Sequence, residues 1–398
     1  MLACEPEVVF RGGLSALEAA LAWQRSTSPA GGRSGWLAGA LSYDLGRDFE
    51  RIPDLAADDP EVPRVWLAGF RAIYRYCRTR GRAEVVGTDR HAVERLLGRI
   101  RDVQGERARQ HSRARAPAPT PHLLPQAAGR ERFLEGVRAI HRYIRAGDVY
   151  QVNLARRIDG RGLGDPAVAY SSLTERWPAP FAAFLDTGDL EVISNSPERL
   201  LRVRGTRVET CPIKGTRPRA QSPAEDRWQA KQLLASEKDR AEHLMIVDLE
   251  RNDLGRVCRT GSVQVERLGA LRSFPTVHHL VSSVQGELDD PSDLVGLLRA
   301  TFPGGSITGA PKLRAMEIIE SLEATRRGIY TGSLGWIDPA GGLDLSIAIR
   351  TVVRVGARWS LQVGGGIVAD SLADDELAET DTKAAAFGEM LSLAGSAD

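Results

Sequence analysis

The spacing of apolar positions changes several times along the chain, and each change marks an element. Leu14, Leu17 and Leu21 recur at helical spacing, while Trp36–Ser42 and Val62–Tyr76 are apolar-rich runs that predict strands. The segment Leu41-Ser42-Tyr43-Asp44-Leu45-Gly46-Arg47 between them reads as a turn, or as a loop with a buried polar role. From Gly105 to Gly129 the periodicity disappears into Arg, Ala, Pro and Gln, as in Arg113-Ala114-Arg115-Ala116-Pro117-Ala118-Pro119. Such a stretch reads as an exposed linker, and its arginines, with no aromatics between them, as solvated filler.

Periodicity returns with Phe133, Val137, Ile140 and Ile144, a helix stopped by Gly147, and then a strand, Val149–Leu154. Arg199–Arg204 and Arg207–Thr210 read as a hairpin turned at Gly205-Thr206, and Pro212 ends its second strand. A helical stretch from about Glu225 to Asp253 breaks near Ser236, which can cap the second part with Asp239 three residues on. Strands return around Val263 and Leu280, and a short helix spans Leu294–Arg299. A glycine-rich run, Pro303 to Lys312, leads into a helix over Lys312–Ala324, with Pro311 suited to its first turn. Tyr330–Ile337, Leu343–Val355 and Trp359–Val363 predict strands, and Asp374–Leu393 a closing helix. Strands joined by short turns with long helices between them predict an α+β fold: mainly antiparallel sheets packed as a sandwich with surrounding helices. The composition break divides it into an N-terminal subdomain over 1–104, a linker over 105–129 and a larger domain over 130–398.

Composition narrows the function without choosing it. At 398 residues, with 42% hydrophobic and 26% charged residues, the chain has the make-up of a soluble globular protein. A net charge of +1 argues against nucleic acid or a membrane surface as a partner held by bulk electrostatics. Cys4, Cys77, Cys211 and Cys258 lie far apart with no Cys-x-x-Cys pair, which fits a reducing compartment without a zinc site or disulfide framework. The start, Met1-Leu2-Ala3-Cys4-Glu5-Pro6-Glu7, lacks an apolar core, and no apolar run reaches membrane-spanning length. A cytoplasmic location is expected.

Candidate chemistry gathers around Cys211-Pro212-Ile213-Lys214-Gly215-Thr216-Arg217-Pro218-Arg219. Of 53 lysines and arginines only five are lysine: Lys214, Lys231, Lys238, Lys312 and Lys383. A lysine between Pro212 and Gly215 suggests that an amine able to lose its proton is wanted, which arginine cannot supply. Glu242 can face inward with Ile246 and Leu249, and Glu376, Glu379 and Lys383 share one face of the closing helix. Inward carboxylates from two helices would suit a hard cation such as Mg2+, whereas the same three residues also suit a solvated ladder of ion pairs. Gly304–Pro311 and Gly364-Gly365-Gly366 can present backbone N–H groups to an anion or simply form turns and close approaches. The histidines, including His278-His279, show no metal-ligand spacing.

Several longer stretches stand in the order of a known family: Ser196-Pro197-Glu198-Arg199, Pro212-Ile213-Lys214-Gly215-Thr216, Glu242 to Leu249 with Arg251-Asn252-Asp253-Leu254, Pro303 to Lys312, and Glu376 to Lys383. Together they resemble the chorismate-utilising enzymes, which include anthranilate, aminodeoxychorismate, isochorismate and salicylate synthases. The resemblance is strong over roughly 130–393 and looser over 1–104, so 130–398 is expected to be the chorismate-binding catalytic domain. Isochorismate and salicylate synthases carry a water-activating lysine where this chain has Gln151, and an amide cannot take a proton from water. Anthranilate synthases carry alanine where this chain has Lys214; lysine there is similar to the aminodeoxychorismate synthases.

The resemblance therefore implies amination of chorismate at C4, with Lys214 as covalent nucleophile at C2 and Glu198 as the acid that protonates the departing hydroxyl. It implies Mg2+ held by Glu242 and Glu379 with Glu376 nearby. Arg350 and Tyr330 are expected on the side-chain carboxylate, with Gln151, Thr216, His279, Ser306, Thr308, Gly364, Gly365 and Lys383 lining the site. Arg217 or Arg219 is expected to help depress the Lys214 pKa. No cysteine sits in the Gly-x-Cys-x-Gly setting of a glutaminase, so ammonia is expected from a separate glutamine amidotransferase subunit. The competing readings are an anthranilate synthase component I and a non-catalytic regulator that binds chorismate or tryptophan. The usual Leu-Leu-Glu-Ser tryptophan signature is absent near Leu41–Arg47, which leaves tryptophan binding open.

Overall fold

The computed structural model describes residues 1–26, 35–59, 62–77, 80–110, 122–124 and 126–393. Two antiparallel sheets face each other, with helices on their outer sides, as the pattern predicts. The ten-stranded sheet runs Val8–Gly12, Val65–Phe70, Trp36–Leu41, Ser333–Ile337, Leu343–Ile347, Arg199–Arg204, Arg207–Cys211, Val277–Glu287 and Ile213–Pro218. Gln264–Ser273 also pairs with Val277–Glu287. The seven-stranded sheet runs Gly309–Ala310, Gln151–Arg161, Arg358–Ile367, Thr351–Val355, Leu190–Ser196 and Phe181–Asp186, with His122–Leu123 added to Gln151–Arg161.

The layers follow from which faces are apolar. Every residue of Val65–Phe70 is buried, as a strand covered on both faces requires. Ala40 and Leu334 of the larger sheet meet Leu190, Val192 and Val353 of the smaller one between the layers. On the outer face of the larger sheet, Leu17 and Leu21 of the helix Leu14–Arg25, Val247 and Leu254 of Glu237–Gly255, and Leu297 of Leu294–Thr301 join one large core. The helices Ala127–Ala146 and Lys312–Leu322 cover the smaller sheet through Phe133, Ile140 and Ile318. Phe387 of the closing helix Ala373–Leu393 and Leu173 of Pro166–Arg176 pack with Trp359. Truncating a ring such as Phe133, 2% exposed, to alanine would cost about 3–5 kcal/mol.

Local signals hold where the chain is local. Ser236 both ends the helix Pro223–Ala235 and caps the next, accepting from Asp239 N at 3.2 Å. Gly147 ends its helix at φ +81°, a left-handed position that costs glycine little. Ser42 caps a short 3-10 turn, Tyr43–Leu45, and Asp44 is buried and accepts from Gly328 N at 2.9 Å, so the buried polar role is the one observed.

Long-range pairing changes three readings. Val62–Tyr76 is two strands, Val65–Phe70 and Ala72–Cys77, and the second leaves to pair with Arg82–Gly87 in its own sheet. The segment expected to be linker over 105–129 is shorter: the helix Arg90–Gln110 enters it, and His122–Leu123 and the helix from Ala127 occupy its end, while 111–121 and 125 lie outside the described residues. Strands from 1–104 and from 130–398 also share the larger sheet, so the composition break does not divide that sheet.

The third change builds the seam of the molecule. Leu343–Val355 is not one strand: Leu343–Ile347 belongs to the larger sheet and Thr351–Val355 to the smaller. Leu190–Ser196 and Arg199–Arg204 cross between the same sheets in the same way. The two crossings lie side by side, with Asn195 N donating to Arg350 O at 2.9 Å and Ile347 N to Glu198 O at 3.0 Å.

Candidate active site

Glu198 and Arg350 stand on these two crossings, where the sheets part. Arg350 adopts φ +52°, a strained value for a residue with a side chain, which marks the sharp exit from one sheet to the other. Glu198 is 5% exposed, and its Oε1 accepts from Ser306 Oγ at 2.8 Å and from Ile213 N at 3.3 Å. Burial pushes its carboxyl up to about 7, although the Ser306 bond and the charges of Lys214 and Arg350 oppose the shift. A carboxyl that keeps its proton near neutral pH can give it away.

Lys214 follows Ile213 on the edge strand Ile213–Pro218, where it pairs with Leu280. Gly215 at φ +74° lets the strand turn against the next helices, since a Cβ there would come within 2.9 Å of Leu233 and 3.2 Å of Asp239. The Lys214 side chain is crowded by protein, and burial lowers its pKa; Lys383 adds to the lowering, while Glu242, Glu198 and Glu379 oppose it. The expectation for Arg217 and Arg219 is corrected here. Both are committed elsewhere, Arg217 to Asp239 at 2.8 Å and Arg219 to Asp226 at 2.7 Å.

Three carboxylates gather opposite Lys214. Gly365 makes room for two of them: a Cβ there would lie 3.2 Å from Glu376 Oε2 and 3.9 Å from Glu379 Oε1. Ser371 Oγ holds the other Glu376 oxygen at 2.6 Å. Glu379 pairs with Lys383 at 2.7 Å, and Lys383 Nζ also donates to Gly364 O at 2.7 Å, so the ladder expected of a helix face and the approach to the glycines coexist. Glu242 comes in from the helix Glu237–Gly255 and is half-buried. Burial raises both the Glu242 and Glu376 carboxyls, and neighbouring carboxylates push the same way. Oxygen donors from two helices, their repulsion only partly offset by Lys383, Lys238 and Lys214, suit a hard divalent cation. They are not a ready-made cage, for among the described residues no three His, Cys, Asp or Glu side chains form a metal-ligating group.

Gly364, Gly365 and Gly366 pair along the ladder with Ala155, Leu154 and Asn153, which identifies the run as a strand with close approach. A Cβ on Gly366 would sit 3.0 Å from the Gln151 amide, which is fully buried with neither its nitrogen nor its oxygen bonded to protein. An amide left unbonded at the end of a strand is a polar group awaiting a partner. Thr216 Oγ1 and His279 Nδ1 lie 2.9 Å apart; burial and the Arg350 charge drive the imidazole down to about 4, so it is neutral, and its Nε2 has no protein partner.

Two expected residues have a different setting. Thr308 Oγ1 is spent on Gly304 O at 2.9 Å, inside its own loop. Tyr330 lies in a turn before the strand Ser333–Ile337 and bonds the Asn153 side chain, with burial raising the phenol to about 12. Its partner Asn153 was not expected at the site from the sequence, nor was Glu250, nor the part-buried ion pair of Asp253 with Lys312. Their partners are remote in the chain, which leaves no local signal.

The fold and this site define a chorismate binding enzyme: the family of that description matches residues 11–389, and the chain belongs to it. Among curated relatives, aminodeoxychorismate synthase component 1 of Bacillus subtilis strain 168 is 41% identical over 371 residues, covering 90% of this chain and 77% of the relative. The protein of the same name from Escherichia coli strain K12 is 43% identical over 352 residues, covering 88% and 75%. Among solved structures, anthranilate synthase component I from Streptococcus pneumoniae TIGR4 superposes with a TM-score of 0.83 at 29% identity, covering 98% of this chain and 91% of that one.

Proposed function

We propose that the chain is the chorismate-aminating component of an aminodeoxychorismate synthase, converting chorismate and ammonia to 4-amino-4-deoxychorismate and water. The observation that carries this reading is Lys214, an amine depressed by burial and set beside Glu198, a carboxyl that burial raises to about 7. The naming of the curated relatives supports it.

Neutral Lys214 Nζ adds to C2 of the ring as the C4–O bond breaks, and Glu198 gives its proton to the leaving hydroxyl, which departs as water. Ammonia then forms a bond to C4 while the C2–N bond to Lys214 breaks. The proton lost by the new amine returns to Glu198, and Lys214 is again a free amine. Glu198 must be protonated and Lys214 neutral at once, so the lowered amine and the raised carboxyl move toward each other, each unit being worth about 1.4 kcal/mol. Glu242, Glu376 and Glu379 would hold magnesium, whose chemistry is to neutralise the ring carboxylate as electrons move toward it. Arg350 faces the same space and suits a second carboxylate, and the free Gln151 amide can bind the entering ammonia's polar neighbours but cannot activate water. Ammonia would come from a glutamine amidotransferase subunit, in keeping with the words "component 1" in the relatives' names.

Incubating the purified chain with chorismate, magnesium and ammonium at mildly alkaline pH tests this. The expected product has the mass of aminodeoxychorismate and yields 4-aminobenzoate with an added lyase. Anthranilate with pyruvate would overturn the reading.

A further inference from the structure

Glu250 lies on the helix Glu237–Gly255, 4% exposed, where a carboxyl is costly unless it is bonded or keeps its proton. Its Oε2 accepts from Thr210 Oγ1 at 3.1 Å, and its Oε1 lies 3.5 Å from where a Gly305 Cβ would be. The nearest cation on the adjoining helix, Lys312, is bonded to Asp253 one turn on and to Thr301 O at 3.2 Å. Thr210 is three residues before Ile213, and Gly305 immediately precedes Ser306. These are the two segments whose Ile213 N–H and Ser306 hydroxyl grip Glu198. Gly305 has no room for a side chain, since a Cβ there would already meet Leu249 at 2.5 Å.

We propose that Glu250 is a positioning residue for Glu198: it braces both segments from behind and, as a second buried carboxyl across the Gly305–Ser306 turn, keeps the proton on Glu198. The proposal rests on the reading of Glu198 as the general acid. The charged groups around the pair are Asp253 and Lys312 beside Glu250, and Lys214 and Arg350 beside Glu198. Burial raises Glu250 too, to about 7, with Asp253 and Glu198 adding to the rise; under the proposal the two glutamates titrate as a coupled pair. A charge on one disfavours a charge on the other. Removing it from Glu250 must let Glu198 ionise at lower pH.

The test is the pH profile of kcat for chorismate amination at constant free ammonia, comparing wild type with Glu250→Gln. The amide keeps the shape and the bond to Thr210 but carries no charge. The alkaline limb is expected to move down by about half a unit or more, with KM for chorismate within about twofold. A limb that stays in place while kcat falls equally at every pH would overturn the electrostatic role and leave a structural one. Thr210→Val keeps the charge and loses the brace: a lower kcat at all pH with an unmoved limb is expected, and an unchanged kcat would sink the bracing role. Should Glu250→Gln fail to fold, carbon-13 titration of the wild-type glutamate carboxyls decides; two mutually displaced titrations near neutrality are expected, and independent ones overturn the coupling. Glu198→Gln separates the two readings, because an active Glu198→Gln enzyme sinks the general acid itself. An inactive one beside an unmoved Glu250→Gln limb sinks only the present proposal.

Discussion

Replacing Glu198 by glutamine has an effect on stability whose sign and size both come from its burial. In the folded chain the carboxyl holds its proton up to about 7, against an ordinary value of 4.5. Between those values the folded state binds a proton that the unfolded state has released, so the contribution of Glu198 to wild-type stability falls as pH rises through this window and is flat outside it. A displacement of that size corresponds to about 3 kcal/mol. Glutamine has nearly the same shape, can still accept from Ser306 and Ile213 N, and binds no proton. The stability of the variant relative to wild type should therefore improve by about 3 kcal/mol between pH 4.5 and 7.5. Urea unfolding followed by far-ultraviolet circular dichroism, with both proteins compared at each pH, reads this directly. Amination of chorismate should meanwhile fall at least about 100-fold, the usual worth of a general acid. A stability difference that does not change with pH would mean that Glu198 is already ionised in the folded protein, and the acid role would be refuted.

Lys214→Ala should abolish C4 amination while leaving chorismate binding largely intact, and Lys214→Arg should be no better, since a guanidinium cannot become a neutral nucleophile; a wild-type yield of aminodeoxychorismate by mass from either variant refutes covalent participation. Gly364→Ala would place a Cβ 2.3 Å from Leu154 O and push the two strands apart, at a cost of about 1–3 kcal/mol; a melting temperature equal to wild type would contradict the close approach. Arg327 is 2% exposed, pairs with Glu323 at 2.7 Å and donates to Asn153 O at 2.6 Å. Arg327→Met would strand Glu323 as a buried charge and should cost about 3–5 kcal/mol, whereas Glu323→Leu with Arg327→Met should recover much of it, as chemical denaturation of both can show.

What the sequence determined by itself was local in origin. The cap at Ser236, the stop at Gly147, the hairpin turned at Gly205 and the apolar faces of the long helices depend on neighbours within a few residues, and the structure has them where the pattern puts them. The residue types of the site were legible too, because a lysine between Pro212 and Gly215 or glutamates spaced along one helix face are visible in one dimension. Tertiary structure decided which sheet each strand joins. Leu343–Val355 carries one continuous strand-like pattern, yet Ala348, Ile349 and Arg350 pass between two sheets, because Leu343–Ile347 pairs with Arg199–Arg204 while Thr351–Val355 pairs with Leu190–Ser196. That crossing is what brings Arg350 beside Glu198. The ion pair of Lys312 with Asp253, the contact of Tyr330 with Asn153 and the place of Glu250 behind Ser306 were likewise decided only in three dimensions. Propensity and period report on the next few residues; a buried charge finds its partner wherever the packed layers bring one within reach.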